Sequence, residues 1–255
     1  SNQKEEASDI IESLEMLNPS TTDFDAQMQG RWELLYSSTQ LFRSSPFFMA
    51  GRATCTTPEQ AQQYDWFCDM HRAALAISTI GTVRQIIDTT EQRFTSEFEV
   101  KVGSIPFLTD FVPFASYSGG LPATIDGAIV SSADIMSTNQ QAGSYELLMD
   151  TVEIKGSNVP LLRQVLDMDQ TKLESRALGS FLEQNVESYE NPKPLFTTTF
   201  LNDKYRVSRD QDGKVFVYGK ESNESHLTDY TSVDSDLGLL KLVEGFNDAI
   251  LKFYI

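Results

Sequence analysis

The sequence predicts a mainly β fold: an antiparallel barrel with an N-terminal helix, a helical insertion after the first strand and a C-terminal amphipathic helix. Two distant stretches carry this prediction. In residues 30–36, Trp32, Leu34 and Tyr36 recur at a period of two, which is typical of one face of a strand. In residues 204–218, a turn at Asp212-Gly213 separates two alternating apolar runs, which indicates a β-hairpin.

The first strand also indicates how the barrel closes. Gly30 lies two residues before Trp32 and lets the backbone bend into the strand. In lipocalin-type barrels, a first-strand Gly-x-Trp faces an arginine of a late strand, whose guanidinium lies over the indole ring. Arg206 or Arg209 could supply that group. The expected barrel is therefore lipocalin-like.

Helices are expected on both sides of the first strand. Residues 5–17 predict an amphipathic helix with an acidic polar face. Residues 41–52 are expected to form a loop with an apolar tip. Thr57 and Pro58 then begin a helix expected over residues 58–77. Its buried stripe is expected to consist of the larger apolar side chains and one alanine: Trp66, Phe67, Met70, Ala74 and Ile77.

Period-two alternation predicts about eight strands, enough to close a small barrel. Besides the first strand and the two arms of the hairpin, strands are expected over residues 83–88, 93–102, 124–130, 133–137, 144–154 and 196–201. Short helices are expected over residues 160–168 and 178–186. This spacing is typical of an antiparallel meander rather than of βαβ units.

Residues 234–254 predict the C-terminal amphipathic helix, because apolar side chains recur there at steps of three and four. The helix could pack on its own barrel, lie in a membrane interface or bind a partner protein. Its polar face is more acidic than basic, which disfavours anionic lipid and favours self-packing or a protein partner.

Composition sets the class of protein. The 255 residues are expected to form a single domain with three segments, 1–27, 28–222 and 223–255. A net charge of -17 opposes binding to nucleic acid. The sequence contains no apolar run of roughly 20 residues, the length that spans a bilayer as a helix. Cys55 and Cys68 could form a disulfide or remain buried thiols.

The sequence predicts neither an enzyme nor a metal site. Histidine, the commonest acid–base residue, occurs only at positions 71 and 226. Cys55, Cys68 and His71 lack a fourth ligand at the spacing of a structural zinc site. Residues 210–213 begin like a calcium loop but lack its later glutamate, and a hairpin turn explains them.

Several motifs, in this order and spacing, resemble the plastid lipid-associated proteins, also called fibrillins. They include Gly-Arg-Trp-Glu-Leu-Leu-Tyr-Ser-Ser at 30–38, Arg-Ser-Ser-Pro-Phe-Phe at 43–48, Gly-Ala-Ile-Val-Ser-Ser-Ala at 127–133 and Phe-Leu-Asn-Asp-Lys-Tyr-Arg-Val-Ser-Arg at 200–209. The resemblance covers most of residues 10–221. It implies a lipocalin-like barrel in a plastid, peripheral to thylakoids or lipid droplets.

The inward faces of the strands are the expected ligand surface, since a barrel of about eight strands can hold one small apolar guest. The candidate ligand-binding residues are Trp32, Leu34, Tyr36, Phe98, Val100, Tyr145, Leu147, Arg206, Phe216 and Tyr218. The same side chains could instead fill a closed core. A register slip of one residue would reverse each assignment.

Two apolar loops and the C-terminal helix are candidates for docking, because exposed aromatic patches usually mark an interface. The candidate docking residues are Phe47, Phe48, Phe107, Phe111, Phe114, Leu239, Val243, Phe246, Ile250 and Phe253. The loops could instead fold over the mouth of the barrel as a cap.

Two functions are therefore expected. The first is a non-enzymatic plastid protein, peripheral to the thylakoid, which binds or shields a carotenoid, chlorophyll, quinone or lipid. The alternative is a structural or assembly subunit, docked on a photosystem or antenna complex through its apolar loops and C-terminal helix.

Overall fold

A computed structural model of the chain describes residues 2–17, 23–74, 78–102, 125–139, 143–158, 163–164, 172–185 and 190–232. Its helices are α1 (Asn2–Met16), α2 (Phe24–Met28), α3 (Pro46–Ala53), α4 (Pro58–Ala74) and α5 (Ser175–Asn185). Its strands are β1 (Gly30–Ser37), β2 (Ser78–Asp88), β3 (Arg93–Val102), β4 (Ile125–Asn139), β5 (Ser144–Lys155), β6 (Leu173–Glu174), β7 (Leu195–Leu201), β8 (Tyr205–Arg209) and β9 (Val215–Ser222). Single 3-10 turns cover Leu41–Ser44 and Tyr230–Ser232.

These strands form one antiparallel sheet of nine strands that rings round on itself. The order of neighbours is β4-β3-β2-β1-β9-β8-β7-β5-β6, and β4 also pairs with β5. That last pairing joins the two sides of the sheet. The predicted strand-rich, antiparallel architecture is confirmed, and so are the N-terminal helix and the helical insertion after β1.

The hairpin of β8 and β9 forms as the sequence predicts. The Asp210 carboxylate accepts hydrogen bonds from the backbone N–H groups of Asp212 and Lys214, both at 2.9 Å. Gly213 adopts a positive φ of 71°, which a glycine tolerates without strain. Beyond this turn, Arg209 pairs with Val215 and the two strands continue in register.

A β-bulge in β1 overturns the expectation that Tyr36 shares the inward face with Trp32. Leu34 pairs with Tyr218, but Tyr36 pairs with Val217, so the register with β9 shifts between them. A bulge of one residue reverses the alternation of side chains beyond it. Tyr36 consequently packs with Val217 against α1, in a cluster separate from the inner core.

Helix α1 covers this outer cluster. Ile11 is buried against Phe200 and Val207, and Leu14 packs beside it. The Arg209 guanidinium lies 2.6 Å from the Glu15 carboxylate. A hydrophobic contact and an ion pair therefore hold α1 against β7 and β8.

The insertion between β1 and β2 differs from the prediction in two ways. Residues 41–52 form a 3-10 turn and helix α3, because the Ser45 side chain accepts from the Phe48 N–H and Pro46 occupies the first turn. Among the α4 residues whose burial is described, Tyr64 and Cys68 are buried, whereas Trp66, Phe67 and Met70 are exposed. The expected stripe over those three residues is wrong.

Two further predicted elements differ in length from the observed ones, and three predicted segments cannot be compared with the structure. The two strands expected over residues 124–137 are one strand, β4, and the helix expected over residues 178–186 is α5. Most of the helix expected over residues 160–168, the apolar loop at 105–122 and the C-terminal helix at 234–254 lie outside the described residues. The three-segment division of a single domain stays a prediction.

Gly30 provides a test of how tightly β1 is held. It has φ +116°, and a Cβ atom added there would lie 2.1 Å from the backbone oxygen of Ser222. We expect Gly30→Ala to lower the free energy of unfolding by about 3 kcal/mol, because backbone strain and a backbone clash coincide. Urea unfolding followed by circular dichroism measures the change.

Gly213→Ala is the matched control. Gly213 also has a positive φ, but a Cβ there meets nothing within 4 Å. Only the strain of the left-handed conformation remains, about 1 kcal/mol. Equal losses in the two variants would show that the clash between β1 and β9 is relieved without cost.

Candidate functional site

The centre of the ring is organised around Arg206 of β8, which is fully buried. Its guanidinium carbon lies 4.1 Å from the ring centroid of Tyr218, 4.9 Å from that of Trp32 and 5.0 Å from that of Phe196. Of the two arginines that could face Trp32, Arg206 is the one that does. Strands β1, β7, β8 and β9 therefore meet at one cation.

The polar contacts of Arg206 are few. Its Nη2 donates to Gln85 Oε1 at 2.5 Å, and the Gln85 side-chain amide donates to the backbone oxygen of Ser44 at 2.7 Å. Among the described residues, Arg206 Nε and Nη1 find no hydrogen-bond partner. Burial lowers the pKa of Arg206 to about 10. Aromatic faces, rather than a carboxylate, surround this charge.

The predicted ligand-binding residues fall into different environments. An inner cluster contains Phe24, Met28, Trp32, Met49, Ile87, Phe94, Ala133, Ile135, Tyr145, Leu147, Phe196, Leu201, Phe216 and Tyr218. A cap cluster contains Phe42, Phe48, Tyr64, Cys68, Val83 and Phe98, and Leu34 packs against both clusters. Val100 is half-buried and Tyr36 lies in the outer cluster. Side chains thus fill the centre of the ring, and the ligand-binding role of these residues stays a prediction.

Residues 41–52, which the sequence predicts to dock through an apolar tip, form the 3-10 turn and helix α3. Together with α4 we call this insertion the cap. The Phe48 ring is buried in the cap cluster, 4.5 Å from that of Phe42, and only Phe47 of the two docking candidates is exposed. The Phe48 side chain packs inside the cap cluster, and its docking role stays a prediction. The other docking candidates, at 107, 111, 114 and 239–253, lie outside the described residues.

A second buried arginine holds the cap to the β8–β9 turn. Arg43 Nη1 lies 3.1 Å from Asp65 Oδ1, and its Nη2 lies 2.6 Å from Asp212 Oδ2 and 3.2 Å from Asp210 Oδ2. Arg52 of α3 lies 2.6 Å from Asp212 Oδ1. The acidic turn residues are thus counter-ions of the cap.

The charges of this network are mutually stabilised. Burial acts to lower the pKa of Arg43, but its interactions with Tyr64, Asp210 and Asp212 outweigh that effect and raise it. Burial also acts to raise the pKa of Asp212, but hydrogen bonds from Arg52 and Arg43 prevail and lower it. Asp210, which is more deeply buried, has a raised pKa. Removing Arg43 would leave the buried Asp210 carboxylate without an ion-pair partner, whereas Asp212 would keep Arg52.

A cavity of about 320 Å³ lies between α3, α4, β5 and α5. Its lining residues are Phe47, Phe48, Ala50, Gly51, Thr54, Tyr64, Phe67, Leu148, Met149, Ser175, Gly179, Asn191 and Pro192. Four of these are aromatic and, within the described part of the chain, none is charged. The volume lies at the lower end of the range for small-molecule sites.

Sequence reasoning missed this cavity. Its walls join α3 and α4 to the distant β5 and α5, and the sequence predicts a loop where α3 lies. The available signal was Ser45-Pro46, a cap residue followed by a first-turn proline, which indicates the start of a helix.

Four charged side chains hold α5 as one wall of the cavity. Arg176 of α5 and Arg93 of β3 both bind the Asp134 carboxylate. Arg93 Nη2 also lies 2.9 Å from Asp150 Oδ2, and Arg176 Nε lies 3.5 Å from Asp150 Oδ1. This alternating set of charges joins α5 to β3, β4 and β5.

Both cysteines lie in the cap as free thiols. Cys68 is fully buried in the cap cluster, and burial raises the pKa of its thiol. Of the two alternatives that the sequence leaves open, the structure shows unbonded cysteines. A buried thiol of raised pKa is a poor nucleophile.

A family model described as PAP_fibrillin matches residues 1–219, which is most of the chain. The chain belongs to the PAP_fibrillin family. Membership implies a plastid lipid-associated protein, in a family that is generally non-catalytic. Comparison with curated proteins and with solved structures gave no match.

Two findings on the described residues accompany this membership in the PAP_fibrillin family. None of the helices in the described segments is both long and apolar enough to cross a membrane. The described segments also bring together no group of three or more His, Cys, Asp or Glu side chains that could hold a metal ion.

The Arg43 network predicts a large difference between two arginines near the cap. We expect Arg43→Met to lower the free energy of unfolding by about 3–5 kcal/mol, because it leaves the buried Asp210 carboxylate without an ion-pair partner. Arg72→Met should change it by less than about 1 kcal/mol, because Arg72 and its partner Asp69 are exposed. Urea unfolding of both variants measures the contrast, and similar losses would show that the network does not hold the cap.

His71 predicts a pH dependence of the cap. The rings of Phe42, Phe48 and Phe67 lie 4.7, 5.2 and 6.1 Å from its imidazole ring. Burial lowers the pKa of His71, so the unfolded chain binds the proton more readily. The free energy of unfolding should fall as pH drops below about 6.5, the ordinary value for histidine, and this contribution should level off below the folded-state pKa.

His71→Gln should remove this part of the pH dependence, since glutamine does not titrate. The measurement is the difference in unfolding free energy between the natural chain and the variant, at about pH 8 and at about pH 5.5, on either side of the ordinary histidine pKa. A difference that does not change with pH would contradict the assignment.

Proposed function

We propose that this chain is a non-enzymatic plastid protein, peripheral to thylakoid membranes, which binds the apolar part of a carotenoid, chlorophyll, quinone or lipid. Membership in the PAP_fibrillin family supports lipid association. The ring of strands acts as a lipocalin-like barrel whose centre is filled with side chains and which serves as a scaffold.

The cavity between α3, α4, β5 and α5 is the observation that carries the proposal. Aromatic and aliphatic side chains make up most of its lining, with a few uncharged polar groups from Thr54, Ser175 and Asn191. Such a lining favours an apolar ligand with at most a neutral polar group. The fully buried Trp32, Arg206 and Tyr218 occupy the space that the sequence assigned to the ligand.

The size of the cavity limits what it can enclose. At about 320 Å³ it suits a ring or a short length of chain. A longer ligand would therefore be held by one end, with the remainder outside the cavity. Any such ligand needs a nearby apolar environment for its exposed portion.

Filling the cavity tests the proposal. Thr54 lines the cavity but is otherwise exposed, so Thr54→Phe should obstruct the site without disturbing the core. We expect the purified full chain to retain a short-chain plastoquinone analogue after free ligand is removed. The variant should retain at least about tenfold less, since the ligand loses its apolar contacts. Solvent extraction and absorbance measure the retained analogue.

Thr56→Phe is the matched control. Thr56 is exposed on the same connection and lies outside the cavity. Each substitution removes one local hydrogen bond: the Thr54 hydroxyl donates to Gly51 O at 2.7 Å, and the Thr56 hydroxyl donates to Gln60 Oε1 at 3.1 Å. This control should retain the analogue as the natural chain does. If the natural chain retains none, or if Thr54→Phe retains as much as Thr56→Phe, the cavity is not the site.

A further inference from the structure

We propose that four exposed apolar side chains around the cavity, Phe47, Trp66, Phe67 and Met70, insert into the interface of a bilayer with uncharged headgroups. We call these four residues the rim. The inference rests on the proposed function, because it assigns the surface through which the cavity exchanges ligand with a membrane.

The rim residues are neighbours and are strongly exposed. Phe47, Phe67, Met70 and Trp66 are 39%, 46%, 52% and 65% exposed. The rings of Phe47 and Phe67 lie 5.4 and 6.1 Å from the ring of Phe48 between them. Trp66 and Met70 lie four residues apart on α4, so they share one face of the helix. Adjacent exposed aromatic side chains of this kind usually mark an interaction surface.

The rim is continuous with the cavity. Phe47 and Phe67 line the cavity and are also exposed, so they lie where it meets solvent. An apolar ligand that leaves between these two rings would enter water unless a lipid phase covered the rim. Continuity with a site for water-insoluble molecules therefore favours a bilayer over a second copy of the chain. Tryptophan is also one of the two side chains enriched at membrane–water interfaces.

Charge decides which bilayer fits. Helix α4 carries Glu59, Asp65 and Asp69 against the fixed positive charge of Arg72, and Asp65 is paired with Arg43 outside the helix. Arg72 Nη2 lies 3.6 Å from Asp69 Oδ1, so this cation is already paired. The chain as a whole has a net charge of -17. This net negative charge would repel anionic headgroups but not an uncharged bilayer.

Flotation with vesicles tests the inference on the full chain. We expect it to bind vesicles of pure phosphatidylcholine, whose headgroups carry no net charge, with little dependence on salt. Binding to vesicles that also contain phosphatidylglycerol should be weaker and should recover as salt screens the repulsion. Trp66 emission should shift to shorter wavelength on binding, because Trp32 is already buried in the free chain.

Two substitutions with a matched control assign the surface. Trp66→Ser should reduce partitioning into phosphatidylcholine vesicles about tenfold, and Met70→Ser about threefold, in proportion to the apolar side chain removed. Met136→Ser should leave partitioning unchanged, because Met136 of β4 is 49% exposed but lies outside the rim. Far-ultraviolet circular dichroism of each variant checks that the fold is retained.

The outcomes separate this inference from the proposed function. Trp66 and Met70 do not line the cavity, so their variants should still retain the plastoquinone analogue without vesicles. No flotation of the natural chain, or equal flotation of Met70→Ser and Met136→Ser, would overturn the inference while leaving the cavity site intact. So would a dimer in sedimentation that Trp66→Ser abolishes, or a free chain in which acrylamide does not quench Trp66.

Discussion

The ring of strands depends on the enclosure of one cation. Arg206 has no exposed surface, and the rings of Trp32, Phe196 and Tyr218 surround its guanidinium. Burying a charge without these faces would be very unfavourable, so the arrangement is stable only when β1, β7, β8 and β9 are all in place. Because Gln85 of β2 joins Arg206 to the backbone of Ser44, the same interaction also positions the start of the cap.

Because side chains fill the centre of the ring, the candidate site lies outside it, beside the cap. The inner cluster packs around Arg206, and the available volume lies instead where α3 and α4 meet β5 and α5. A second buried arginine, Arg43, holds the cap beside this cavity, and its charge is stabilised differently from that of Arg206. Arg43 is neutralised by Asp65, Asp210 and Asp212 rather than by aromatic faces. The first arginine organises the ring, and the second attaches the cap to it.

Local patterns predicted most of the strands, the hairpin and a contact of Trp32 with either Arg206 or Arg209, because each depends on alternation or on a short motif with a physical cause. The face on which Tyr36 lies could not be predicted, because a bulge depends on the partner strand. The buried face of α4 was predicted from its largest apolar residues, yet Tyr64 and Cys68, also four residues apart, are the ones that pack inward. The cavity joins residues as distant as Thr54, Leu148 and Asn191, so no local pattern encodes it.

The failure to predict the buried face of α4 follows from how burial is predicted. Sequence patterns predict burial from hydrophobicity, whereas a surface that interacts with lipid keeps large apolar side chains exposed and so breaks that rule. On α4, Tyr64 and Cys68 face the core, Phe67 lines the cavity, and Trp66 and Met70 face outward. Because Asp65 on the same helix pairs with Arg43, the rim has a fixed orientation relative to the ring. A bilayer that meets the rim would therefore meet the opening of the cavity in the same orientation, which is the geometry that transfer of an apolar ligand requires.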